Sequence, residues 1–206
     1  MKEKIKLIED YLDYLYPDPK CELNYDSDYT LLISIMLSAQ TTDKRVNEVT
    51  SVLFDKYNSL YKLKEADLKD LENILRPLGN FRKKASYTKD IARILVDEYN
   101  SSVPVDRKIL ESLPGVGHKT VNVFYSEYLD IPAIAVDTHV ERVSKRLGLC
   151  YKNDGVVEIE KKLMKKFKKE EWGKRHLQLV LFGRYHCKAI SPLCDNCKLK
   201  DICNKK

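Results

Sequence analysis

Apolar residues recur every three or four positions along most of the chain, a pattern that predicts amphipathic α-helices almost throughout. Near the N-terminus, Ile8 and Leu12 share one face of a first helix, which Pro17 ends. Residues 28–39 are apolar on nearly every side, which predicts a helix buried on all its faces in a core. The sequence has no convincing pair of alternating segments joined by a hairpin turn, so we expect an all-α fold.

The remaining helices are predicted from the same periodicity and from the residues that start and stop helices. Asp43 is expected to cap the third helix, and Pro77 with Gly79 to end the helix that precedes the long basic one. The predicted ranges are 43–57, 66–75, 81–99, 106–113, 118–129, 138–147, 156–167 and 171–185.

The composition narrows the class of protein. The chain has 206 residues, of which 43% are apolar, and 37 Lys and Arg against 31 Asp and Glu give a net charge of +6. That excess permits a polyanionic partner without requiring one. The longest apolar stretch, residues 31–37, is far too short to span a bilayer, and the charged N-terminus lacks the features of a secretory signal. We therefore expect a cytoplasmic protein in a reducing environment, where its six cysteines do not pair as three disulfides.

Four of the six cysteines lie close together near the C-terminus and indicate a metal centre. Their spacing is C-x6-C-x2-C-x5-C, formed by Cys187, Cys194, Cys197 and Cys203. Thiolates packed this closely in a cytoplasmic protein usually hold a zinc ion or an iron–sulfur cluster. A structural zinc site usually has two C-x2-C pairs, whereas this sequence has one, Cys194 and Cys197. The spacing therefore leans toward a 4Fe–4S cluster but leaves zinc open.

Two glycines between predicted helices indicate a possible anion site. In Leu113-Pro-Gly-Val-Gly117, proline ends one helix and the glycines allow a tight hairpin before the next. The N–H groups of the hairpin and of the second helix would point outward together and could hold a backbone phosphate. An ordinary turn between two helices explains the same residues equally well.

Three further residues could carry chemistry, and each also has an ordinary structural explanation. Lys119 lies in the first turn of the helix after the hairpin, where the positive helix end favours a neutral, nucleophilic amine over an ammonium ion. Position alone fits a solvated or phosphate-contacting lysine better. Asp137 ends an apolar run and could present a carboxylate at a site or only cap a helix. Gln40 could fill the gap left by an extruded base or be a plain loop residue.

Four ordered motifs give the chain a strong resemblance to the endonuclease III family of the helix–hairpin–helix superfamily. They are LSAQTTD at 37–43, LPGVGHKT at 113–120, AVDTHV at 135–140, and GRYHC with the following cysteines at 183–203. The resemblance implies a two-lobed all-α fold. It places a six-helix barrel with the helix–hairpin–helix at 22–132, and an iron–sulfur lobe at 1–21 and 133–206 with its cluster loop at 187–203.

The resemblance also implies specific roles for site residues. The catalytic pair would be Lys119 and Asp137. The cluster would be one 4Fe–4S group on the four cysteines named above. The implied DNA-binding residues are Gln40, Asn80, Phe81, Gly115, Val116, Gly117, His118 and Thr138. Asn80 departs from the family, which often has a large apolar wedge there, so Phe81 could take over the wedging.

The function implied is base excision repair by a DNA glycosylase and abasic-site lyase. The enzyme would release oxidised pyrimidines from duplex DNA and cut the abasic site by β-elimination through a lysine Schiff base. We expect a monomer in the cytoplasm, associated with the nucleoid and not with a membrane. Two alternatives remain open: a monofunctional glycosylase of the same superfamily, and a non-catalytic DNA-binding module with a structural metal.

Overall fold

The computed structural model describes residues 2–204, and that range contains α-helices but no β-strand. The all-α prediction is confirmed. None of the helices in this range is long and apolar enough to cross a membrane. The α-helices are α1 (Lys2–Leu15), α2 (Asp28–Leu37), α3 (Asp43–Lys56), α4 (Leu60–Glu65), α5 (Leu68–Leu75), α6 (Phe81–Glu98), α7 (Arg107–Ser112), α8 (His118–Glu127), α9 (Thr138–Arg146), α10 (Val156–Lys166) and α11 (Trp172–Leu181).

The helices form two compact units. The central unit is Glu22–Phe124, and the terminal unit combines the residues up to Cys21 with those from Tyr125 onward. The terminal unit therefore brings the first helix together with the C-terminal third of the chain. The functional domains expected from the resemblance, with a boundary after residue 132, stay a prediction.

Helix α2 forms the centre of the central unit, as its unbroken apolar sequence predicts. Eight consecutive residues from Thr30 to Leu37 are buried, so the helix has no solvent face over that stretch. Its start is fixed by Ser27 and Thr30, whose side chains and backbone bond each other in a capping box. The helix ends at Leu37, and the chain turns there into the exposed loop that contains Gln40.

Short polar side chains just outside the helices fix where they begin. Thr42, not Asp43, is the N-cap of α3, so the prediction of an Asp43 cap is wrong by one residue. The hydroxyl of Thr42 accepts the N–H of Arg45 at 3.3 Å. Asp106 caps α7 in the same way, and its carboxylate accepts the N–H of Ile109 at 3.1 Å.

The helix predicted over 66–75 is confirmed as α5 (Leu68–Leu75), which begins two residues later than predicted, whereas the helix before it was not predicted. The structure has a separate helix, α4, before it, capped by Ser59. Ala66 then leaves the helical conformation, with ψ at 141°. Asp67 caps the new start of α5, because its carboxylate accepts the N–H of Asp70 at 3.1 Å. Ser59 and Asp67 therefore start two short helices, of which the apolar periodicity predicted only the second.

The terminal unit packs the apolar faces of α1, α9, α10 and α11 into one core. Its buried members include Ile8, Leu12, Val140, Val143, Ile159, Leu163, Leu179 and Phe182. The buried guanidinium of Arg175 binds both carboxylate oxygens of Asp13, at 2.8 and 3.2 Å, which ties α11 to α1. Lys4 adds a bond from its Nζ to the carbonyl of Ile202 at 3.0 Å. The first helix is thereby joined to the end of the chain.

The last predicted helix, over 171–185, changes form before its end. Helix α11 stops at Leu181 and continues as a single wider π-turn, Phe182–His186. The N–H of Cys187 donates to the carbonyl of Phe182 at 2.6 Å, which closes this turn. A Cβ on Gly183 would lie 2.8 Å from the Cβ of His139, so only glycine lets the turn pack against α9. This packing fixes the position of Cys187, the first of the four closely spaced cysteines.

Candidate functional site

The turn between α7 and α8 is a tight reversal that depends on one of its two glycines. Gly115 has φ +75°, in the left-handed region, and a Cβ there would lie 2.5 Å from the ring of Tyr87. Gly117 differs, because nothing lies within 4 Å of a Cβ built on it. Gly115 is therefore needed by the fold, whereas Gly117 leaves open space beside the start of α8.

The N–H groups of this turn are only partly available to a ligand. Val116 donates its N–H to the carbonyl of Leu113 at 3.0 Å and buries its side chain. The expectation that the hairpin N–H groups all point outward is therefore wrong for Val116, which closes the turn. Gly117 and His118 are exposed. The first N–H groups of α8 have no acceptor within the helix and form a positive end that attracts anions.

A polar network that sequence analysis missed holds His118 beside the turn. The Nδ1 atom of His118 lies 3.3 Å from a carboxylate oxygen of Glu111, and the same oxygen accepts from Arg107 at 3.1 Å. Arg107 also donates to the side-chain oxygen of Asn122 at 2.7 Å. The spacing of four residues between Arg107 and Glu111 on one helix was the available signal.

Lys119 is exposed and is the second residue of α8. Within residues 2–204, its Nζ has no hydrogen bond or ion pair, so the amine is uncommitted. Asn122 is only 2% exposed and belongs to the interior of the central unit. The amine of Lys119 therefore extends into solvent at the positive end of α8, and the buried amide of Asn122 does not accompany it on the surface.

Asp137 caps α9 with one oxygen and leaves the other available. Its Oδ1 accepts the N–H of His139 at 2.9 Å and of Val140 at 2.8 Å. Its Oδ2 has no hydrogen-bond partner among the described residues, and the side chain is only half-buried. Thr138, the next residue, is exposed. The carboxylate can therefore cap the helix and present negative charge at the same time.

The two loops expected to reach into DNA share an unusual backbone conformation. Gln40 has φ +58° and Asn80 has φ +56°, and both residues are exposed. Left-handed conformations of residues other than glycine are uncommon and tend to mark functional sites. Phe81 follows as the first residue of α6 and is half-buried, with the guanidinium of Arg82 lying 5.1 Å from its ring centre.

The four C-terminal cysteines line one small cavity in the terminal unit. The cavity has a volume of about 80 Å³, and its other walls include Leu147, Phe182, His186, Pro192, Leu193 and Lys200. Burial raises the pKa of the Cys197 thiol, and the thiols of Cys187, Cys203 and Cys194 raise it further. The four sulfurs are thus close enough to interact, and all four are free thiols. Among the described residues, no group of three or more His, Cys, Asp and Glu side chains is arranged to hold a metal ion.

Two arginines of α9 hold the segment that carries Cys187. Arg146 lies 3.3 Å from the Cys187 Sγ through its Nη1, which also donates to the carbonyl of Lys188 at 2.7 Å. Arg142 donates to the carbonyls of Cys187 at 3.2 Å and Gly183 at 2.6 Å. Both place positive charge beside the cavity. Sequence analysis missed them, since their partners are more than 40 residues away along the chain.

Comparison with known proteins places these features in a family. Residues 33–169 match the model of the HhH-GPD superfamily base excision DNA repair proteins. The chain is 43% identical over 203 residues to endonuclease III of Bacillus subtilis (strain 168), covering 98% of this chain and 93% of that one. It is 38% identical over 190 residues to endonuclease III of Escherichia coli (strain K12), covering 92% of this chain and 90% of that one.

The fold is also similar to that of a solved complex. The structure of a trapped endonuclease III–DNA covalent intermediate with an estranged adenine has a TM-score of 0.95 to this chain. The two are 48% identical, and the match covers 99% of this chain and 96% of the other. Sequence and fold therefore agree over essentially the whole length.

Proposed function

Because the chain belongs to the endonuclease III family of base excision DNA repair proteins, we propose that it excises oxidised pyrimidines from duplex DNA and then cleaves the abasic site through Lys119. The protein is a glycosylase and lyase that acts on DNA. The observation that carries the assignment of Lys119 is its exposed, uncommitted amine in the first turn of α8. The exposed turn residue Gly117 lies two positions before it.

The start of α8 suits the binding of a DNA phosphate. Gly117 has open space around it, and the first N–H groups of the helix have no acceptor within the helix. These donors and the helix dipole attract a phosphate without reading the base sequence. Val116 contributes by closing the turn, and His118 is held at the turn by Glu111.

Extruding a damaged base costs a few kcal/mol, because it breaks stacking and pairing. We assign the compensation to Gln40, Asn80 and Phe81, which would occupy the gap and separate the bases beside it. Support comes from the exposure and left-handed backbone of Gln40 and Asn80. Asn80 is polar where the family often has a large apolar residue, so Phe81 supplies the apolar surface of this segment.

The neutral amine of Lys119 would attack C1′ of the damaged nucleotide and displace the base, which leaves with the bonding electron pair. The nitrogen then loses a proton and the C1′–O4′ bond breaks, with its electron pair leaving on O4′, which takes up a proton. The product is a protonated Schiff base between Nζ and C1′. This cation acidifies the hydrogen on C2′, and its removal expels the 3′ phosphate by β-elimination. The exposed Nζ of Lys119 has no hydrogen bond or ion pair within residues 2–204, so no contact has to break before it attacks.

Asp137 would stabilise the positive charge that develops on the sugar as the base leaves. Its Oδ1 is held by two backbone N–H groups, so the carboxylate has a fixed orientation. Its Oδ2 has no hydrogen-bond partner among the described residues and is the atom we assign to this charge and to the proton transfers.

We assign the C-terminal cavity to a 4Fe–4S cluster held by Cys187, Cys194, Cys197 and Cys203. A zinc ion needs all its sulfurs about 2.3 Å from one point, whereas each cysteine of a 4Fe–4S cluster binds a different iron. The four thiols line a common cavity, and membership of the endonuclease III family favours the cluster over zinc. When bound, the cluster would cross-link the cysteine loop of the terminal unit.

Incubation of the protein with a duplex containing an abasic site, in the presence of borohydride, tests the proposed lyase. Reduction of the Schiff base should leave a covalent protein–DNA adduct. Cleavage of a thymine-glycol duplex should accompany it. Binding without an adduct would favour the alternatives: base release without an adduct indicates a monofunctional glycosylase, and neither activity indicates a DNA-binding module.

The two glycines of the turn should respond differently to substitution. Gly117→Val should leave the protein folded, because nothing lies within 4 Å of the new Cβ, but should hinder the approach of a phosphate. We expect affinity for damaged and undamaged duplexes to fall alike, by about tenfold, the scale of one hydrogen bond to a charged group. Gly115→Val should instead lower the melting temperature, because the Cβ would overlap Tyr87. A Gly117→Val protein with unchanged affinity for both duplexes would contradict the phosphate assignment.

Removal of any one cluster cysteine should change the metal content. The purified protein should contain about four irons and show the broad visible absorbance of a 4Fe–4S cluster. Cys194→Ala should lose iron and unfold the terminal unit at a lower temperature. Cys150→Ser and Cys21→Ser are the matched controls, since these cysteines lie outside the cavity. Stoichiometric zinc in a colourless protein would overturn the cluster assignment.

A further inference from the structure

Lys84 is a buried lysine with an unusual set of partners. The residue is only 5% exposed and lies on α6 in the central unit. Its Nζ donates to the backbone carbonyl of Ala39 at 2.9 Å and lies 3.3 Å from the hydroxyl of Thr41. Those two residues flank Gln40. The ammonium group thus holds the Gln40 loop from both sides of its exposed tip.

This arrangement is unfavourable as a purely structural device. A buried ammonium loses its hydration, and here neither acceptor is charged and no carboxylate pairs with Lys84 within residues 2–204. Burial accordingly lowers the pKa of Lys84. A well-packed apolar side chain often replaces a buried charge without loss of stability. Packing alone therefore does not explain why a lysine occupies this buried position.

The same lysine is linked to the second exposed loop. Its backbone N–H donates to the carbonyl of Asn80 at 3.1 Å and closes the first turn of α6. Asn80 and Gln40 are the two left-handed residues assigned above to the gap in the DNA. One residue therefore contacts the loop of Gln40 through its side chain and the loop of Asn80 through its backbone.

We propose that Lys84 is a positioning residue that fixes the Gln40 loop relative to the Asn80–Phe81 start of α6, so that both enter the DNA as one preformed unit. The proposal rests on the proposed function, because it deepens the role assigned to Gln40 and Asn80. Strained backbone conformations persist only where their surroundings hold them, and the Lys84 bonds hold the two residues beside Gln40. Lys84 itself is not placed in contact with DNA.

The test compares Lys84→Met with a matched control on the same helix. Methionine keeps an unbranched apolar stem and removes the ammonium group. Lys89→Met is the control. Like Lys84, Lys89 lies on α6 and donates its Nζ to a backbone carbonyl, in this case that of Ala66 at 2.7 Å in a different loop. The readouts are affinity for a duplex with a stable abasic analogue, affinity for undamaged duplex, and fluorescence of 2-aminopurine opposite the abasic analogue.

For Lys84→Met we expect the preference for the abasic analogue to fall by about tenfold, the scale for losing one charge-assisted hydrogen bond. The 2-aminopurine signal on binding should fall as well. Affinity for undamaged duplex should not change, because that binding uses phosphates. Lys89→Met should retain both the preference and the signal. A Lys84→Met protein that retains the preference and the signal overturns the proposal.

A double-mutant cycle with Gln40→Ala separates positioning from a general loss of stability. If Lys84 acts through Gln40, the double variant should lose no more preference than the more severe single variant. Additive losses would overturn the proposal. If Lys84→Met fails to fold, Thr41→Val removes one of the two acceptors, and an unchanged preference there also overturns it. Failure of the proposed function is distinct, since it would appear as a wild-type protein without a borohydride adduct.

Discussion

The Lys119→Gln protein should release no base and form no borohydride adduct, while it still binds a lesion-containing duplex. No other group in the proposed mechanism can form the Schiff base, so we expect both activities to fall to background. Glutamine keeps a long polar side chain, one atom shorter and uncharged, and Lys119 has no partner within residues 2–204, so the fold should not change. Denaturing gels of the trapping reaction and of strand cleavage measure the two losses.

Lys108→Gln is the matched control for this substitution. Lys108 is also an exposed lysine in the first turn of a helix of the central unit, and its removal changes the net charge by the same amount. That variant should retain full trapping, with at most a small loss of affinity from the missing charge. A Lys119→Gln protein that still forms the adduct would show that another amine is the nucleophile.

The Asp137→Asn protein should fold normally and turn over slowly. Asparagine caps a helix about as well as aspartate, so the side-chain oxygen can keep the N–H bonds of His139 and Val140. The free energy of unfolding should change by no more than ~1 kcal/mol. The rate of base release should nonetheless fall by roughly a hundredfold or more, the scale for losing one well-placed electrostatic group.

This substitution separates capping from catalysis because it removes the charge and keeps the cap. Single-turnover base release gives the rate, and thermal unfolding gives the stability. Asp137→Ala is uninformative, since it removes both properties together. Unchanged turnover in the Asn variant would mean that Asp137 only caps α9. A large loss of stability with it would mean that the charge matters to the fold.

Periodicity predicted the helices well where one apolar face or one cap dominates. Helix α2 is the clearest case, because apolar residues on every face over more than two turns predict a buried helix. The short helix α4 was missed for a local reason, since its start depends on the Ser59 cap and its six residues are too few to show an apolar period. The end of α11 failed for a tertiary one, because the close packing of Gly183 on His139 widens the last turn.

The features of the candidate site were likewise predicted from the sequence only in part. The motif around Asp137 predicted a cap, and the free Oδ2 is compatible with the additional role. The hairpin pattern could not tell that Val116 uses its N–H within the turn, since that depends on how the chain folds back. Arg146 and Lys84 could not be found at all from sequence periodicity. Each donates to backbone carbonyls about 40 residues away. Because every residue has a backbone carbonyl, the sequence does not show which one accepts the bond.

Mapping the amine attached to DNA after borohydride reduction tests the central claim most directly. Trypsin cleaves after Lys108, Lys119 and Arg142 in this region, and a reduced adduct on Lys119 blocks the middle cleavage. Mass spectrometry after nuclease digestion should therefore find one modified peptide, residues 109–142, with the sugar remnant on Lys119. A remnant on any other lysine or on the N-terminal amine, or a lesion duplex cleaved without any adduct, would contradict the assignment of Lys119 as the nucleophile.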